Sequence, residues 1–263
     1  MKITVGIQLG PAHGDYPRLR DAWREAEDLG ADYIYTWDHF FPPSLEPNPP
    51  KEKVYGKNFE AICIQAAMAA TTKRAQIGCL VHGNSYRNPN LLADMARTID
   101  HISGGRFVLG IGSGWYKLDY DEYGYPFGTP GSRLRDLERD LPIIRARFQK
   151  LNPPPLHRIP ILIGGGGEKM TLKLAAQHAD IWHYFGDPAT MKKKSDILDG
   201  WCSQFGRDPK QITRSTSAAG ALAPGVDPNE YVKVGFSDFI AHSNGPDWNL
   251  DALRKLVEWK RSL

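Results

Sequence analysis

Residues 160–170 read Pro-Ile-Leu-Ile-Gly-Gly-Gly-Gly-Glu-Lys-Met, a short apolar run that stops at four consecutive glycines. A helical pattern begins directly after them. Because glycine lacks a Cβ atom, its backbone N–H groups can converge and adopt positive φ values. The first turn of a helix adds unpaired N–H groups and the positive end of its dipole. The run therefore predicts a strand followed by a glycine loop and then a helix, with the loop suited to binding a phosphate. The alternative is that the glycines form a flexible turn.

The same alternation of short β-branched runs and amphipathic helical patterns continues along the chain. Eight strand–helix units in a single domain over residues 1–263 predict a (β/α)8 TIM barrel, with a doubly wound open sheet as the alternative. We expect Asn58 to cap the second helix and another helix to run near Glu168–His178. The strand candidates are Ile3–Leu9, Tyr33–Trp37, Ala75–Val81, Phe107–Ile111, Ile159–Ile163, Ile181–Tyr184, Ile212–Ala218 and Phe236–Ala241.

Two long insertions interrupt this alternation. Residues 40–57 are rich in proline, and residues 112–131 carry several glycines and tyrosines. Both follow the C-terminal ends of predicted strands, where barrel enzymes place their chemistry. We expect both to form rim loops on that face.

The overall composition is that of an ordinary folded protein, with 24% charged and 41% apolar residues. A formal charge of +3, with no basic run longer than Lys192-Lys193-Lys194, gives no basis for nucleic-acid binding, and we expect that triplet to be a solvated helix face. Cys63, Cys79 and Cys202 have no CxxC spacing, which is typical of a reducing compartment without disulfides. No apolar stretch approaches the roughly 18 residues of a membrane span, and no signal peptide is evident. We expect a cytoplasmic protein without membrane partners.

Several reaction classes lack their characteristic residues. No HExxH or clustered Cys/His spacing suggests a metal site, and no GxSxG elbow supports a serine hydrolase. No strand end offers a lysine for a Schiff base. A glycosidase pair of carboxylates, Asp38 with Asp119 or Glu122, can be drawn but is unspecific.

Asp38-His39 follows the second predicted strand and is the first candidate for chemistry. Histidine transfers protons near neutral pH, and a carboxylate beside it can tune its proton affinity. Trp37, Phe40 and Phe41 frame the pair and indicate an aromatic pocket. A histidine satisfied inside a packed loop is the structural alternative, but a place at a strand end favours His39 as an acid or base.

The next two strand ends supply further candidates. The third strand ends in Cys79-Leu80-Val81-His82, whose two central residues would form an apolar wall. His82 would either donate to a ligand or bond to its own loop, and Cys79 reads as a small core residue. The fourth strand leads into Gly112-Ser113-Gly114, whose glycines permit close approach to a planar or anionic ligand. This run lacks the acid of a dinucleotide-binding fingerprint.

Together these segments resemble the luciferase-like monooxygenase superfamily, most closely its branch of oxidoreductases that depend on the deazaflavin coenzyme F420. The likeness covers most of residues 1–220, and the segments that extend the barrel rim late in longer relatives look trimmed here. The motifs that carry the resemblance are Tyr35–Phe40, Arg87–Ala93, Asp100–Trp115, Leu137–Arg145 and Ile161–Gly167. The part from Ser103 to Trp115 is the most specific.

The resemblance implies a TIM barrel that binds a flavin-type cofactor at the strand C-termini. The ring would rest on a bulge at the end of the third strand, with a non-prolyl cis peptide at Cys79–Leu80 or Leu80–Val81. Asp38 would touch the ring, and His39 would act near the hydride-transfer centre. The other implied cofactor contacts are His82, Gly112 and Ser113 near the ring, and Gly164, Gly165, Gly166, Gly167 and the Glu168 amide at the phosphate.

By the same resemblance the chain is an oxidoreductase that moves a hydride between F420 and a small organic substrate, as a homo-oligomer such as a dimer. Within the superfamily, the alternative is an FMN-dependent monooxygenase that activates O₂. Outside this activity, a non-catalytic flavin-binding protein and a barrel acting on another phosphate-bearing substrate are the alternatives. The two rim loops select the substrate, so its identity is not predicted.

Overall fold

Nine β segments close into one parallel barrel in the computed structural model, which describes residues 2–46, 49–217 and 227–263. β3 and β4 occupy one barrel position, because both pair with β5, so the barrel has eight strand positions. Pairing of β1 with β9 closes the ring. The predicted TIM barrel is confirmed, and the open doubly wound sheet is excluded. The strands are β1 (Thr4–Gly10), β2 (Tyr33–Thr36), β3 (Gln76–Cys79), β4 (His82–Gly83), β5 (Phe107–Gly112), β6 (Ile161–Gly164), β7 (Ile181–Tyr184), β8 (Thr213–Ser217) and β9 (Asp238–Asn244).

The helices pack around the outside of this barrel. Proline occupies the first turn of α1 and α4, and both helices end at glycines with positive φ, Gly30 and Gly104. The helices are α1 (Tyr16–Leu29), α2 (Lys51–Val54), α3 (Ala61–Thr71), α4 (Pro89–Ser103), α5 (Lys117–Tyr123), α6 (Pro130–Phe148), α7 (Thr171–His178), α8 (Pro188–Gln204), α9 (Pro228–Lys233) and α10 (Asp251–Arg261).

Two apolar layers hold the barrel together. The larger layer lies between strands and helices and buries residues such as Ile7, Trp23 and Trp182 completely. The smaller layer fills the barrel interior with Tyr35, Val108, Leu162, Ile181 and Ile240. Successive strand residues point alternately into these two layers, so each strand is buried on both faces.

The structure corrects the predicted start of the second helix. Asn58 is not its cap, because its backbone forms an antiparallel bridge with Ala12 and is still extended there. Glu60 caps α3 instead, and its carboxylate accepts the N–H of Cys63 at 2.7 Å. The side-chain amide of Asn58 donates to the carbonyl of His39 at 2.6 Å, so Asn58 supports the segment that follows β2.

Other boundaries also differ from the prediction. The third strand breaks after Cys79 and resumes at His82. α7 begins at Thr171, one turn later than expected, because residues 168–170 form a turn whose Glu168 carbonyl accepts the indole N–H of Trp201 at 2.9 Å. The predicted end of another strand at Ala218 lies outside the described residues.

Both insertions lie at the C-terminal ends of strands, as predicted, and each contains a short helix. α2 forms within residues 40–57, and α5 forms within residues 112–131. These two helices supply part of the rim above the barrel. In the described part of the chain, no helix has both the length and the apolar character needed to cross a membrane.

Candidate active site

A cleft of about 400 Å³ opens at the C-terminal mouth of the barrel. It is lined by six of the predicted residues, which are Leu80, Val81, Gly112, Ser113, Gly164 and Gly165. A smaller cavity of about 130 Å³ adjoins it and is lined by Asp38, His39 and His82. Both cavities share the wall formed by Leu80, Val81, Gly114 and Trp115. The structure thus places the two predicted halves of the site on either side of one wall.

The break in the third strand forms this wall. The peptide bond between Leu80 and Val81 is cis, which decides between the two positions left open by the sequence. A Cβ atom at Gly112 would lie 2.7 Å from Val81 Cγ2, and one at Gly164 would lie 3.0 Å from Val81 Cγ1. At Gly110 a Cβ would lie 1.9 Å from the Cys79 carbonyl oxygen. Glycines on the neighbouring strands therefore provide the space into which the bulge packs.

A chain of hydrogen bonds holds the Leu80 carbonyl on the cleft side. Gln8 Nε2 donates to it at 2.6 Å, which leaves Gln8 Oε1 to accept from His242 Nδ1 at 2.7 Å. His242 Nε2 then accepts the hydroxyl of Ser217 at 2.8 Å, and Ser217 accepts from His183 Nε2 at 3.2 Å. Because the Leu80 carbonyl can only accept, Gln8 must donate to it, and every other group in this series of hydrogen bonds donates toward Leu80.

The two histidines in this series of hydrogen bonds, His183 and His242, are neutral at physiological pH. Burial lowers the pKa of His183 to about 3. It also lowers the pKa of His242, which faces the open mouth, to about 4. The cleft therefore presents neutral imidazoles and hydroxyls beside its apolar wall, a lining that suits the polar edge of an uncharged ring.

The glycine run continues from the cleft onto the rim of the barrel. Gly165 adopts φ of +126°, and a Cβ at Gly166 would lie 2.4 Å from the ring of Tyr184. Lys194 Nζ donates to the Gly166 carbonyl at 2.9 Å and pairs with Glu168 at 2.9 Å. The predicted solvated face of α8 therefore does not include Lys194, whose ammonium group lies against the glycine loop, where it is paired with Glu168.

Asp38 lies in the wall of the smaller cavity with a saturated carboxylate. Arg87 Nη1 and Nη2 donate to its two oxygens at 2.6 and 2.9 Å, and the N–H of Gly83 donates at 3.0 Å. Arg87 also pairs with Glu60 at 2.5 Å. Burial opposes ionisation of Asp38, but the charge and hydrogen bonds of Arg87 outweigh it and lower the pKa of this carboxyl. Asp38 therefore holds the β2 end against Arg87, and its predicted contact with a ring stays a prediction.

His39 is directed into the smaller cavity by its neighbours. Its Nδ1 lies 2.6 Å from Oδ2 of Asp119, a fully buried carboxylate on α5. The rings of Trp115 and Tyr116 meet the imidazole edge-on, with centroids 5.5 and 5.4 Å away. The side chain keeps 13% exposure and lines the smaller cavity.

Two predicted cofactor contacts are not supported by their positions. Cys79 is fully buried in β3 and lines neither cavity, since this strand position points away from the barrel mouth. His82 is fully buried, and its two ring nitrogens bond to Gln65 at 3.1 Å and to the Gly110 carbonyl at 2.9 Å. Burial lowers the pKa of His82, so its side chain is a neutral structural group.

The sequence reading missed the polar side chains of the cleft. Gln8, His183, Ser217 and His242 each follow apolar or small residues on a strand, so an inward polar residue near a strand end was the available signal. Asp119 was weighed only as a glycosidase carboxylate. Among the described residues, no group of three or more His, Cys, Asp or Glu side chains could hold a metal ion.

The chain is similar in sequence to curated oxidoreductase and monooxygenase proteins. A protein of Mycobacterium tuberculosis with the provisional name of a coenzyme F420-dependent oxidoreductase is 27% identical over 266 residues, which cover 97% of this chain and 67% of that protein. A pyrimidine monooxygenase of Acinetobacter baylyi is 26% identical over 224 residues, which cover 75% and 60% of the two chains. The chain thus spans about two thirds or less of the length of these curated relatives.

The fold and the family agree with these likenesses. The solved structure of an F420-dependent secondary alcohol dehydrogenase, in complex with an F420-acetone adduct, superposes with a TM-score of 0.82 at 16% identity and covers 98% of each chain. This similarity supports the barrel fold. A family model described as luciferase-like monooxygenase matches residues 2–230. The chain therefore belongs to the luciferase-like monooxygenase family.

Proposed function

We propose that this protein is an oxidoreductase that transfers a hydride between coenzyme F420 and a small organic substrate. The observation that carries this proposal is the shared wall at Leu80 and Val81. On one side lies a cleft with a glycine rim, and on the other lies a small cavity that His39 lines. The provisional name of the mycobacterial relative, which is similar along nearly the whole chain, supports the choice of cofactor.

The residues of the cleft fit a deazaflavin with a phosphate tail. The missing Cβ atoms of Gly112 and Gly164 leave Val81 free to form a flat apolar support for a ring. The glycines at 164–167 carry no side chains, and the Glu168 amide and Lys194 lie beside them, so this end suits an anion. The N–H of Gly165 is not available to that anion, because it donates to the His183 carbonyl at 3.0 Å. Ser113 lines the cleft between these two ends.

These positions indicate which part of the reaction the cofactor would perform and which part the protein would perform. When bound, F420 would supply the centre that accepts or releases a hydride. The protein would orient the ring on the Leu80–Val81 wall and hold the tail on the glycine rim. His39 would accept or return, at its ring nitrogen facing the cavity, the proton that accompanies hydride transfer.

An FMN-dependent monooxygenase is the second candidate, and the pyrimidine monooxygenase relative supports it. The two functions differ in cofactor, because a deazaflavin has carbon in place of flavin N5 and reacts poorly with O₂. Fluorescence titration of cofactor-free protein with F420 and, separately, with FMN distinguishes them. We expect saturable binding of F420 at lower concentration than FMN, and a preference for FMN would reject the F420 proposal.

Binding alone does not separate an enzyme from a flavin-storage protein. Single-turnover absorption measurements with F420 and a panel of small alcohols, aldehydes and imines test hydride transfer directly. We expect reduction of F420 with at least one substrate or oxidation of its reduced form. Tight binding without any redox change across the panel would favour the storage function.

The same proposal includes the assembly of the protein. It is a cytoplasmic homodimer of single-domain chains, supported by the family resemblance and by Cys63, Cys79 and Cys202 being free thiols. Size-exclusion chromatography with light scattering tests this directly. A mass near twice 29.4 kDa is expected, and a monomer would reject the dimer.

A further inference from the structure

We propose that Asp119 is the positioning residue that fixes the tautomer of His39 and so makes His39 Nε2 the proton acceptor of the site. The inference rests on the proposed acid–base role of His39. Asp119 does not touch the cavity itself and acts only through the imidazole. It belongs to α5, in the insertion after β5, whereas His39 lies three residues beyond the end of β2.

The Asp119 carboxylate has a full set of donors. Oδ2 lies 2.6 Å from His39 Nδ1 and accepts from the Tyr86 hydroxyl at 2.9 Å. Oδ1 accepts the backbone N–H groups of Phe40 at 2.9 Å and Phe41 at 3.2 Å. This fully buried carboxylate already accepts from the Phe40 N–H, the Phe41 N–H and the Tyr86 hydroxyl, so we take it as the acceptor in its fourth contact as well. The proton between Asp119 and the imidazole therefore belongs to His39 Nδ1.

This contact also fixes the orientation of the ring. Asp119 accepts the backbone N–H groups of Phe40 and Phe41, the two residues after His39, so the carboxylate is fixed relative to the loop that carries the imidazole. The Asn58 amide holds the His39 carbonyl at 2.6 Å, and Trp115 limits rotation of the imidazole. The ring is thereby positioned before any ligand arrives, a form of preorganisation.

The charges around His39 leave Asp119 as its ionic partner. On the same segment, Asp38 is neutralised by two hydrogen bonds from Arg87. On β4, His82 is neutral and bonds to other groups. Among the described residues, Asp119 is the carboxylate within salt-bridge distance of His39, and it would stabilise the imidazolium formed when Nε2 takes a proton.

The first test measures the tautomer, independently of activity. Long-range ¹H–¹⁵N NMR of ¹⁵N-histidine protein without cofactor, at neutral pH, should show His39 protonated on Nδ1, with signals assigned by their loss in His39→Gln. In Asp119→Asn, the amide oxygen can keep the Phe40 and Phe41 N–H groups only if its NH₂ faces Nδ1. The tautomer should then switch to Nε2–H.

Tyr86→Phe is the matched control, because it removes the other donor to the same carboxylate oxygen without touching His39. Its His39 tautomer should stay Nδ1–H. An Nε2–H tautomer in the wild-type protein overturns the proposal, whatever the variants do. An unchanged Nδ1–H tautomer in folded Asp119→Asn overturns it as well.

The second test measures the consequence for turnover. We expect Asp119→Asn to lower kcat at least about 100-fold, within the usual range for general acid–base catalysis, while the Kd for F420 changes less than about threefold. Wild-type kcat in Asp119→Asn would overturn the positioning role. Should the wild-type protein not transfer hydride with F420, the proposed function fails while the NMR result still decides the role of Asp119.

Discussion

Gly112 and Val81 are so close that a Cβ atom on the glycine would lie 2.7 Å from Val81 Cγ2. Val81 belongs to the interrupted third strand and Gly112 to the end of β5. This contact therefore packs the cleft wall directly against β5. The glycine at this position is therefore required by packing on the strand beside it, in addition to any contact with a ligand.

Gly112→Ala should destabilise the protein by about 1–3 kcal/mol, the usual cost of overpacking, and weaken F420 binding because the wall must shift. Urea unfolding and fluorescence titration measure the two effects. The double variant Val81→Ala/Gly112→Ala should recover part of the loss, since it removes the clashing methyl groups. Gly200→Ala is the control, because its Cβ would meet nothing within 4 Å in α8. Equal behaviour of the Gly112 and Gly200 variants would contradict the packing argument.

Lys194→Met should weaken F420 binding about tenfold, or about 1.4 kcal/mol, because it removes the ammonium group that lies on the glycine loop. Lys192→Met is the matched control, since Lys192 pairs with Asp196 at 2.7 Å on the exposed side of the same helix. Both variants lose one positive charge, so a general electrostatic effect would lower their affinities alike. The titration should instead separate them, and equal Kd values would place the anion elsewhere.

His39→Ala should abolish most turnover and leave cofactor binding intact, because the imidazole lines the small cavity and not the larger cleft. We expect kcat to fall by a factor of about 10² to 10⁴, the range for loss of a general acid or base, with the Kd for F420 within about threefold. Stopped-flow measurement of F420 absorbance gives kcat. Turnover equal to the wild type would remove His39 from the mechanism.

His183 makes the fold sensitive to acid. Burial lowers its folded pKa to about 3, while the unfolded value is about 6.5, so protons bind preferentially to the unfolded chain. The stability present above pH 6.5 is lost as the pH falls toward 3, by about 2 kcal/mol between pH 7 and 5. His183→Gln should remove this loss, as followed by urea unfolding at both pH values. If the variant and the wild type lose equal stability over that interval, His183 is not the group that titrates.

Asp238 has the opposite effect over the same interval. Burial raises its folded pKa to about 6, so the native state binds the proton more tightly than the unfolded chain. Its contribution is full below pH 4 and disappears as the pH rises through 6, a change of about 1 kcal/mol between pH 5 and 7. Asp238→Asn should therefore make the protein lose more stability than the wild type on going from pH 7 to 5. A smaller loss of stability in the variant than in the wild type would contradict the predicted stabilisation by protonated Asp238.

The sequence could predict those parts of the site that follow strand ends. His39 and the glycines at 112 and 164–167 occupy such places, and the barrel rule puts all strand C-termini at one mouth. Cys79 and His82 are the candidates whose side chains lie away from the larger cleft, for a local reason. The strand breaks between them, and the two side chains that remain at the cleft are Leu80 and Val81.

The series of hydrogen bonds through Gln8, His242, Ser217 and His183 could not be predicted from local sequence patterns. Its members come from four strands, β1, β9, β8 and β7, and the pairing of β1 with β9 that closes the barrel brings Gln8 to the others. Lys194 is a similar case, because a lysine run on a helix looks solvated until the helix packs beside the glycine loop. In both cases the informative contact is made across the sequence, and composition alone carries no signal of it.

By itself the sequence determined the order of strands and helices, the glycines that admit close packing and the placing of His39 after a strand. These are local properties, since strand and helix periods and glycine conformation depend on neighbouring residues. Only the tertiary structure decided that Asp119, 80 residues away, holds His39 Nδ1, and that Val81 packs on Gly112. Such contacts depend on barrel closure and strand register, which bring together side chains whose sequence separation gives no hint of their distance.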